Sequence, residues 1–129
     1  MTGLGEKVRK KPGVLLRLEV MDEREFQLRA DEALEAMYKA LGKAADTYGF
    51  EPDFSSGALS IEFDEPPGKF VLSPNSPVRQ IWVSAHATSY KLGWDPAKGT
   101  FVLAGTGQTL KEVVKAAISK QLGEEVELA

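Results

Sequence analysis

Apolar residues recur at intervals of three and four in two stretches of the chain, one near each end. The first stretch opens with Asp22 and the second with Thr109, and each is followed three residues later by a glutamate. This is the capping-box arrangement that begins many helices. A glycine follows the last apolar position of each stretch and can end a helix in the left-handed conformation. The spacing therefore predicts a long amphipathic helix that runs to about Thr47 and a shorter one that runs to about Leu122.

Between these helices the apolar positions alternate with polar ones, as they do in half-buried β-strands. The alternating segments are 58–63, 69–73, 80–85, 90–94 and 100–103. Pro74 and Pro77 are expected to form a rigid turn outside the strands, because proline cannot donate a hydrogen bond to a sheet. The order of elements predicts an α+β fold, a two-layer α-β sandwich. An antiparallel sheet of five to seven strands is covered on one face by an N-terminal and a C-terminal helix.

The segment 80–85 carries the clearest functional signal. Ile81 falls on one face of the predicted strand, whereas Gln80, Trp82 and Ser84 fall on the other. The aliphatic face is expected in the core, which leaves a tryptophan on the wetter face, where a large apolar ring gains little from folding. Tryptophan is enriched at binding hot spots, so we predict that Trp82 is a docking residue. The alternative is that the sheet is covered on both faces, or that a loop covers Trp82.

Charge is distributed unevenly along the chain. Residues 1–20 hold five bases and two acids, residues 21–65 hold four bases and twelve acids, and residues 66–129 hold seven bases and five acids. Nucleic acid is not an expected partner, because so acidic a domain repels phosphate. Residues 1–20 are predicted to be a flexible basic arm. The alternation at 14–20 also suits a short strand, and a start placed too early, with Met21 as the true start, fits equally well.

Composition limits the chemistry that the chain can perform. The 129 residues include no cysteine and one histidine, His86. Thiolate ligands, disulfides and an iron–sulfur cluster held by the chain itself are therefore excluded. Carboxylates are the abundant ligands, and such hard oxygen donors suit weakly held Fe²⁺, Fe³⁺, Mn²⁺ or Ca²⁺. His86 is expected on the surface or in a turn, no nucleophile has an assigned base, and no apolar run could span a membrane, so neither a catalyst nor a membrane protein is expected.

Five segments in combination resemble the frataxin family, including its bacterial members. They are Phe26-Gln-Leu-Arg-Ala-Asp-Glu32, Ser56-Gly-Ala-Leu-Ser-Ile-Glu-Phe63, Gly68-Lys-Phe-Val-Leu72, Pro77-Val-Arg-Gln-Ile-Trp-Val-Ser84 and Tyr90-Lys-Leu-Gly-Trp94. The resemblance runs from Met21 to about Leu122 and identifies residues 21–129 as a frataxin-like domain. It implies a protein of iron–sulfur cluster assembly, in the cytoplasm of a bacterium or in the mitochondrion if the source is eukaryotic.

The resemblance also implies partners and a metal. The expected partners are a cysteine desulfurase and an iron–sulfur scaffold protein, bound to regulate sulfur transfer or to deliver iron. The candidate partner-binding residues are Gln80, Trp82, Ser84 and Lys91. The expected cargo is weakly bound iron, and its candidate ligands are Glu23, Asp31, Glu32, Glu35, Asp46, Glu51 and Asp53. A monomer that could oligomerise with iron is expected, and ferroxidase activity is a weaker implication.

One departure from the family pattern favours docking over iron storage. Relatives usually continue an acidic ridge through the second half of the first helix, but this chain has Lys39, Gly42 and Lys43 there. A second hypothesis therefore stays open. The chain could be a non-catalytic α+β module without an iron role, whose open sheet binds another macromolecule through Trp82 and Trp94.

Overall fold

The computed structural model describes residues 21–128, so the predictions made for residues 1–20 lie outside the described residues. The elements are α1 (Glu23–Tyr48), β1 (Glu51–Ser55), β2 (Ala58–Asp64), β3 (Pro67–Asn75), β4 (Gln80–Ala85), β5 (Thr88–Asp95), β6 (Thr100–Leu103) and α2 (Leu110–Leu122), with a 3₁₀ turn at Ser76–Val78. The six strands pair in sequence order, and every pair is antiparallel. The predicted α+β sandwich is confirmed. Neither helix of residues 21–128 is long and apolar enough to cross a membrane.

Side chains cap both helices as the sequence predicts. Asp22 accepts a hydrogen bond from the backbone N–H of Glu25 at 2.8 Å. At α2 the capping box is complete, because Thr109 Oγ1 accepts from the backbone N–H of Glu112 and the Glu112 carboxylate accepts from the backbone N–H of Thr109. Gly49 ends α1 with a φ of 81°. These caps provide partners for backbone groups that a helix end leaves unpaired.

The core lies between the two helices and one face of the sheet. Ile81 on β4 and Leu92 on β5 stand opposite each other on this face, and both have 0% exposure. Phe26 on α1 and Phe101 on β6 meet edge to face with ring centroids 5.9 Å apart, which joins the first helix to the last strand. A shift of one residue in β4 would exchange the buried and open faces, so this packing fixes the strand register.

Three prolines lie within strands, Pro52 in β1 and Pro67 and Pro74 in β3, and the position of Pro74 contradicts the sequence-based expectation. β1 contains Pro52 and was not predicted, since proline and acidic residues are uncommon in strands. It is tolerated there because β1 is the edge strand of the sheet formed by residues 21–128. Pro74 was expected in a turn with Pro77, but it lies in β3 opposite Ile81. The pairing of β3 with β2 ends at Leu72, so among the strands that the structure describes β4 alone pairs with β3 at Pro74.

The residues after α2 belong to the core, which the sequence analysis did not predict. Val126 has 0% exposure and Leu128 has 7%. The backbone N–H of Val126 donates to Ser119 Oγ at 3.0 Å, and that of Glu127 donates to the Tyr48 hydroxyl at 3.2 Å. The C-terminal segment therefore joins the last turn of α1 to the last turns of α2.

The turn between β4 and β5 contains two non-glycine residues with positive φ, His86 at 53° and Ala87 at 61°. An alanine side chain is disfavoured in this region, whereas glycine is not. We expect Ala87→Gly to raise the free energy of unfolding by up to about 1 kcal/mol, as measured by urea denaturation. Ala104→Gly, at an exposed turn residue with no positive φ, is the control and should not stabilise. A loss of stability with Ala87→Gly would contradict the assigned strain.

Candidate interaction face and carboxylate pocket

Alternate residues of neighbouring strands form the sheet surface that points away from the core. The cross-strand neighbours on it are Ser60 with Val71, Val71 with Ser84, Ser84 with Ser89, Ser73 with Trp82, Trp82 with Lys91, and Asn75 with Gln80. We term this surface the open face. None of these residues is fully buried, and both described helices pack on the other side of the sheet.

Trp82 lies on the open face between Ser73 of β3 and Lys91 of β5, and it is half-buried. Its indole N–H donates to Gln80 Oε1 at 2.9 Å. Lys91 Nζ lies 4.9 Å from the ring centroid, within the range of a cation–π interaction. These contacts orient the ring and leave part of it exposed. Its immobilisation by a partner would therefore cost little further side-chain entropy.

The structure brings together all four residues that were predicted to bind a partner. Gln80, Trp82 and Ser84 are successive residues on the open face of β4, and Lys91 stands opposite Trp82. Gln80 and Lys91 contact the indole, whereas Ser84 is exposed at the other end of the strand. The four residues form one contiguous surface with an aromatic centre and a cation beside it. Their binding of a partner stays a prediction.

Trp94 lies on the opposite side of the sheet from Trp82. It shares the core-facing side of β5 with Leu92 and packs against the hydrophobic core. Its ring meets Phe101 with centroids 5.2 Å apart, and the Arg29 guanidinium lies 5.1 Å from its centroid. The hypothesis that both tryptophans bind one macromolecule through the open face is therefore wrong, since Trp94 serves packing.

Three of the predicted metal ligands line one surface pocket of about 430 Å³ at the β1 edge of the sheet. They are Asp46 near the end of α1 and Glu51 and Asp53 on β1. Glu62 of β2 also lines it, and the sequence analysis did not name this residue. Glu62 stands directly opposite Glu51, where like charges repel, and its carboxylate lies 3.9 Å from Lys69 Nζ. We term the four carboxylates the carboxylate pocket.

The other four predicted ligands lie exposed on α1 and do not converge. Glu23 stands eight residues before Asp31, about 12 Å along the helix axis. Asp31 and Glu35 share a helix face, but Glu32 is already paired, with Arg29 Nη1 3.9 Å from its Oε1 atom. In the part of the chain that the structure describes, no three His, Cys, Asp or Glu side chains are arranged to hold a metal ion.

His86 lies exposed in the turn between β4 and β5, as predicted. Its Nε2 atom is 3.0 Å from Gln121 Oε1, and Gln121 Nε2 donates to the carbonyl oxygen of Pro66 at 2.7 Å. The ring also lies 5.1 Å from that of Phe70. These contacts connect two turns of the sheet with α2, so the geometry of His86 indicates a structural role.

Comparison with known families gives an independent test of the resemblance. The family model described as the Frataxin-like domain matches residues 19–124. The chain belongs to the frataxin family. The similarity noted in the five sequence motifs is thereby confirmed, and it extends over most of the described structure.

Relatives of this frataxin include bacterial proteins named iron–sulfur cluster assembly protein CyaY. The protein from Azotobacter vinelandii is 33% identical over 73 residues, which cover 57% of this chain and 66% of the relative. That from Thioalkalivibrio sulfidiphilus is 25% identical over 103 residues, which cover 80% and 95%. The solved frataxin of Psychromonas ingrahamii matches with a TM-score of 0.67 and 22% identity over 84% of this chain and 99% of that one. This structural match confirms the fold.

Proposed function

We propose that this frataxin acts in iron–sulfur cluster assembly in the bacterial cytoplasm, without being a catalyst itself. It docks with its open face on a complex of a cysteine desulfurase and a scaffold protein, where it regulates sulfur transfer or delivers iron. The names of the bacterial relatives support the process. The geometry of the open face supports the mode of action.

The observation that carries the proposal is the placement of Trp82. Within residues 21–128 no helix or strand covers the open face, so the half-exposed indole leaves apolar area in water, and a partner can remove that area. The ring is already oriented by Gln80 and Lys91. The lysine beside it favours a partner surface that presents a carboxylate next to an apolar or planar group.

Iron is the proposed cargo, held weakly by carboxylates. Hard oxygen donors suit Fe²⁺ and Fe³⁺, and the chain has no thiolate that could form a tighter site. We place the preferred position at the carboxylate pocket rather than on α1. At the pocket, Glu51 and Glu62 repel each other across two strands, and a cation would relieve that repulsion. On α1, Arg29 lies at 3.8 and 3.9 Å from Glu25 and Glu32, and in the pocket Lys69 lies at 3.9 Å from Glu62. The preference therefore depends on convergence, because four carboxylates line the one pocket, whereas those on α1 are spread along the helix.

A protein-binding module without an iron role is the second candidate. It is favoured by one observation, namely that residues 21–128 contain no group of three side chains arranged for a metal ion. Both candidate functions use the open face for docking. They differ only in whether the carboxylates bind iron.

Amide chemical shifts test both parts of the proposal in one labelled sample. Addition of the desulfurase–scaffold complex should broaden the signals of Gln80, Trp82, Ser84 and Lys91. Addition of Fe²⁺ alone should instead affect the carboxylate pocket and leave the open face near Trp82 unchanged. If the complex broadened only signals from the two helices, docking through the open face would be contradicted, whatever the result with iron.

Neutralising the carboxylate pocket should remove the stabilisation of the fold by bound Fe²⁺. At a free Fe²⁺ concentration about ten times the Kd, binding to the native state should raise the free energy of unfolding by about 1.4 kcal/mol. The double variant Glu51→Gln with Asp53→Asn should lose this increment, as followed by Tm under anaerobic conditions. The matched variant Asp31→Asn with Glu35→Gln should keep it. If the α1 variant lost the stabilisation by Fe²⁺ and the pocket variant kept it, the site would lie on α1. If both variants kept the full stabilisation, the carboxylate pocket would be excluded.

A further inference from the structure

Gly93 leaves a gap in the side chains of the open face. It lies on the same face of β5 as Lys91, between Gln80 of β4 and Val102 of β6. If Gly93 had a β-carbon, no heavy atom of residues 21–128 other than those of its two chain neighbours would lie within 4 Å of it. Its φ is not positive, so the backbone does not require glycine here. We term this gap the Gly93 notch, and it has room for a side chain of a partner.

Gln80 supplies hydrogen-bond donors at one wall of the notch. Its Oε1 atom accepts from the indole N–H of Trp82 at 2.9 Å. An indole N–H can only donate, so the amide oxygen of Gln80 must face the ring. The amide nitrogen with its two N–H groups is then directed away from Trp82, where an acceptor that enters the notch can reach it.

The charges around the notch favour an acidic occupant. Lys91 precedes Gly93 by two residues on the open face, and among residues 21–128 no carboxylate lies within 4 Å of its ammonium group. Asp95 follows by two residues, but its Oδ1 atom accepts from two backbone N–H groups of the next turn, at 2.9 and 3.4 Å. Val102 forms a half-buried aliphatic wall. A cation, amide donors and an aliphatic wall together suit a carboxylate on a short aliphatic stem.

We propose that the Gly93 notch receives an aspartate or glutamate side chain of the desulfurase–scaffold complex, which makes Gly93 a specificity-determining residue of the docking face. The carboxylate accepts from the amide nitrogen of Gln80 and lies beside Lys91, and its stem packs on Val102. This inference rests on the proposed docking through the open face and names the group that the partner presents there. Trp82 supplies apolar contact, and the notch selects a partner with an acid at the matching position.

Filling the notch tests its role without damage to the fold. Gly93→Val should leave the Tm unchanged or raise it, because a β-branched residue suits a strand interior better than glycine does. Titration calorimetry should show affinity for the desulfurase–scaffold complex at least about tenfold weaker, since the new side chain occupies the place of the carboxylate. Ser60→Val, which adds bulk to the open face at β2, is the matched control and should bind within about threefold of the unchanged protein. Equal losses in the two variants would overturn the proposal.

The charge of the occupant is tested by Gly93→Glu and Gly93→Gln, which add side chains of nearly the same shape. Both fill the notch, but only the glutamate repels a carboxylate and competes with it for Lys91. Gly93→Glu should therefore bind the complex at least about fivefold more weakly than Gly93→Gln at low salt, and the difference should shrink as the salt concentration rises. Equal affinities of the two variants, or tighter binding by Gly93→Glu, would overturn the proposal of an acidic side chain.

Failure of this inference can be told apart from failure of the proposed function. If Gly93→Val binds as the unchanged protein does while Trp82→Ala binds weakly, the docking face stands and the notch has no part in it. If neither change weakens binding, both are wrong. Sedimentation of the free protein tests another occupant. A dimer that dissociates on the change Gly93→Val would show that a second copy fills the notch, and this too would overturn the proposal.

Discussion

Replacement of Trp82 by alanine is expected to weaken binding to the desulfurase–scaffold complex at least about 30-fold, which corresponds to about 2 kcal/mol. The free energy of unfolding should fall by no more than about 1 kcal/mol. The ring lies on the open face, and its described polar and cation–π contacts, with Gln80 and Lys91, are each worth little at a solvated site. Titration calorimetry of the complex and urea denaturation of the free protein measure the two quantities.

The matched control for this result is Trp94→Ala, which removes the same side chain from the other side of the sheet. Trp94 packs on Phe101 and is itself half-buried, so the free energy of unfolding should fall by about 2–3 kcal/mol, somewhat less than for a fully buried tryptophan. The folded fraction should bind the complex within about threefold of the unchanged protein, a difference of about 0.6 kcal/mol. Similar losses of affinity in both variants would show that docking does not depend on the open face.

Replacement of Ile81 by alanine is expected to lower the free energy of unfolding by about 2–5 kcal/mol, because it leaves a cavity in a close-packed core. Ile81 has 0% exposure and stands between Pro74 and Leu92 on the neighbouring strands. Urea denaturation at a constant m-value gives the change. Folded protein should keep its affinity for the desulfurase–scaffold complex, since no atom of Ile81 reaches the open face.

Ser84→Ala on the same strand is the control for Ile81→Ala. Ser84 is exposed, so its replacement should change the free energy of unfolding by no more than about 0.5 kcal/mol. If Ile81→Ala left the protein stable while Trp82→Ala unfolded it, the assignment of the two faces of β4 would be inverted. The argument from this strand to a binding partner would then fail as well.

The elements that the sequence predicts are those whose signals are local. Each helix has a capping side chain, an apolar stripe and a terminal glycine within its own segment, and each of the five predicted strands alternates within a few residues. β1 has no such signal, because its place depends on contacts such as that of Phe54 with Leu59 of β2. The C-terminal segment is similar. Val126 and Leu128 do alternate with glutamates, but their burial depends on a space that only the packed helices create.

The candidate site was predictable to the same extent. Successive side chains of a strand point to opposite faces, so the sequence alone places Trp82 and Ile81 on opposite faces of β4. The carboxylate pocket was found in part, because Glu62 becomes a neighbour of Glu51 only through the register of the β1–β2 hairpin. The interaction of Arg29 with Trp94 could not be predicted, since it joins a helix to a strand that lies far away in the chain.

The order of strands has a consequence for how the protein folds. Every sheet pairing joins strands that are neighbours in the chain, so the sheet can assemble one hairpin after another without closing a long loop. The contacts of the C-terminal segment are of the opposite kind, since Glu127 and Tyr48 are 79 residues apart. We therefore expect the sheet to form early and the last residues to join the two helix ends late in folding.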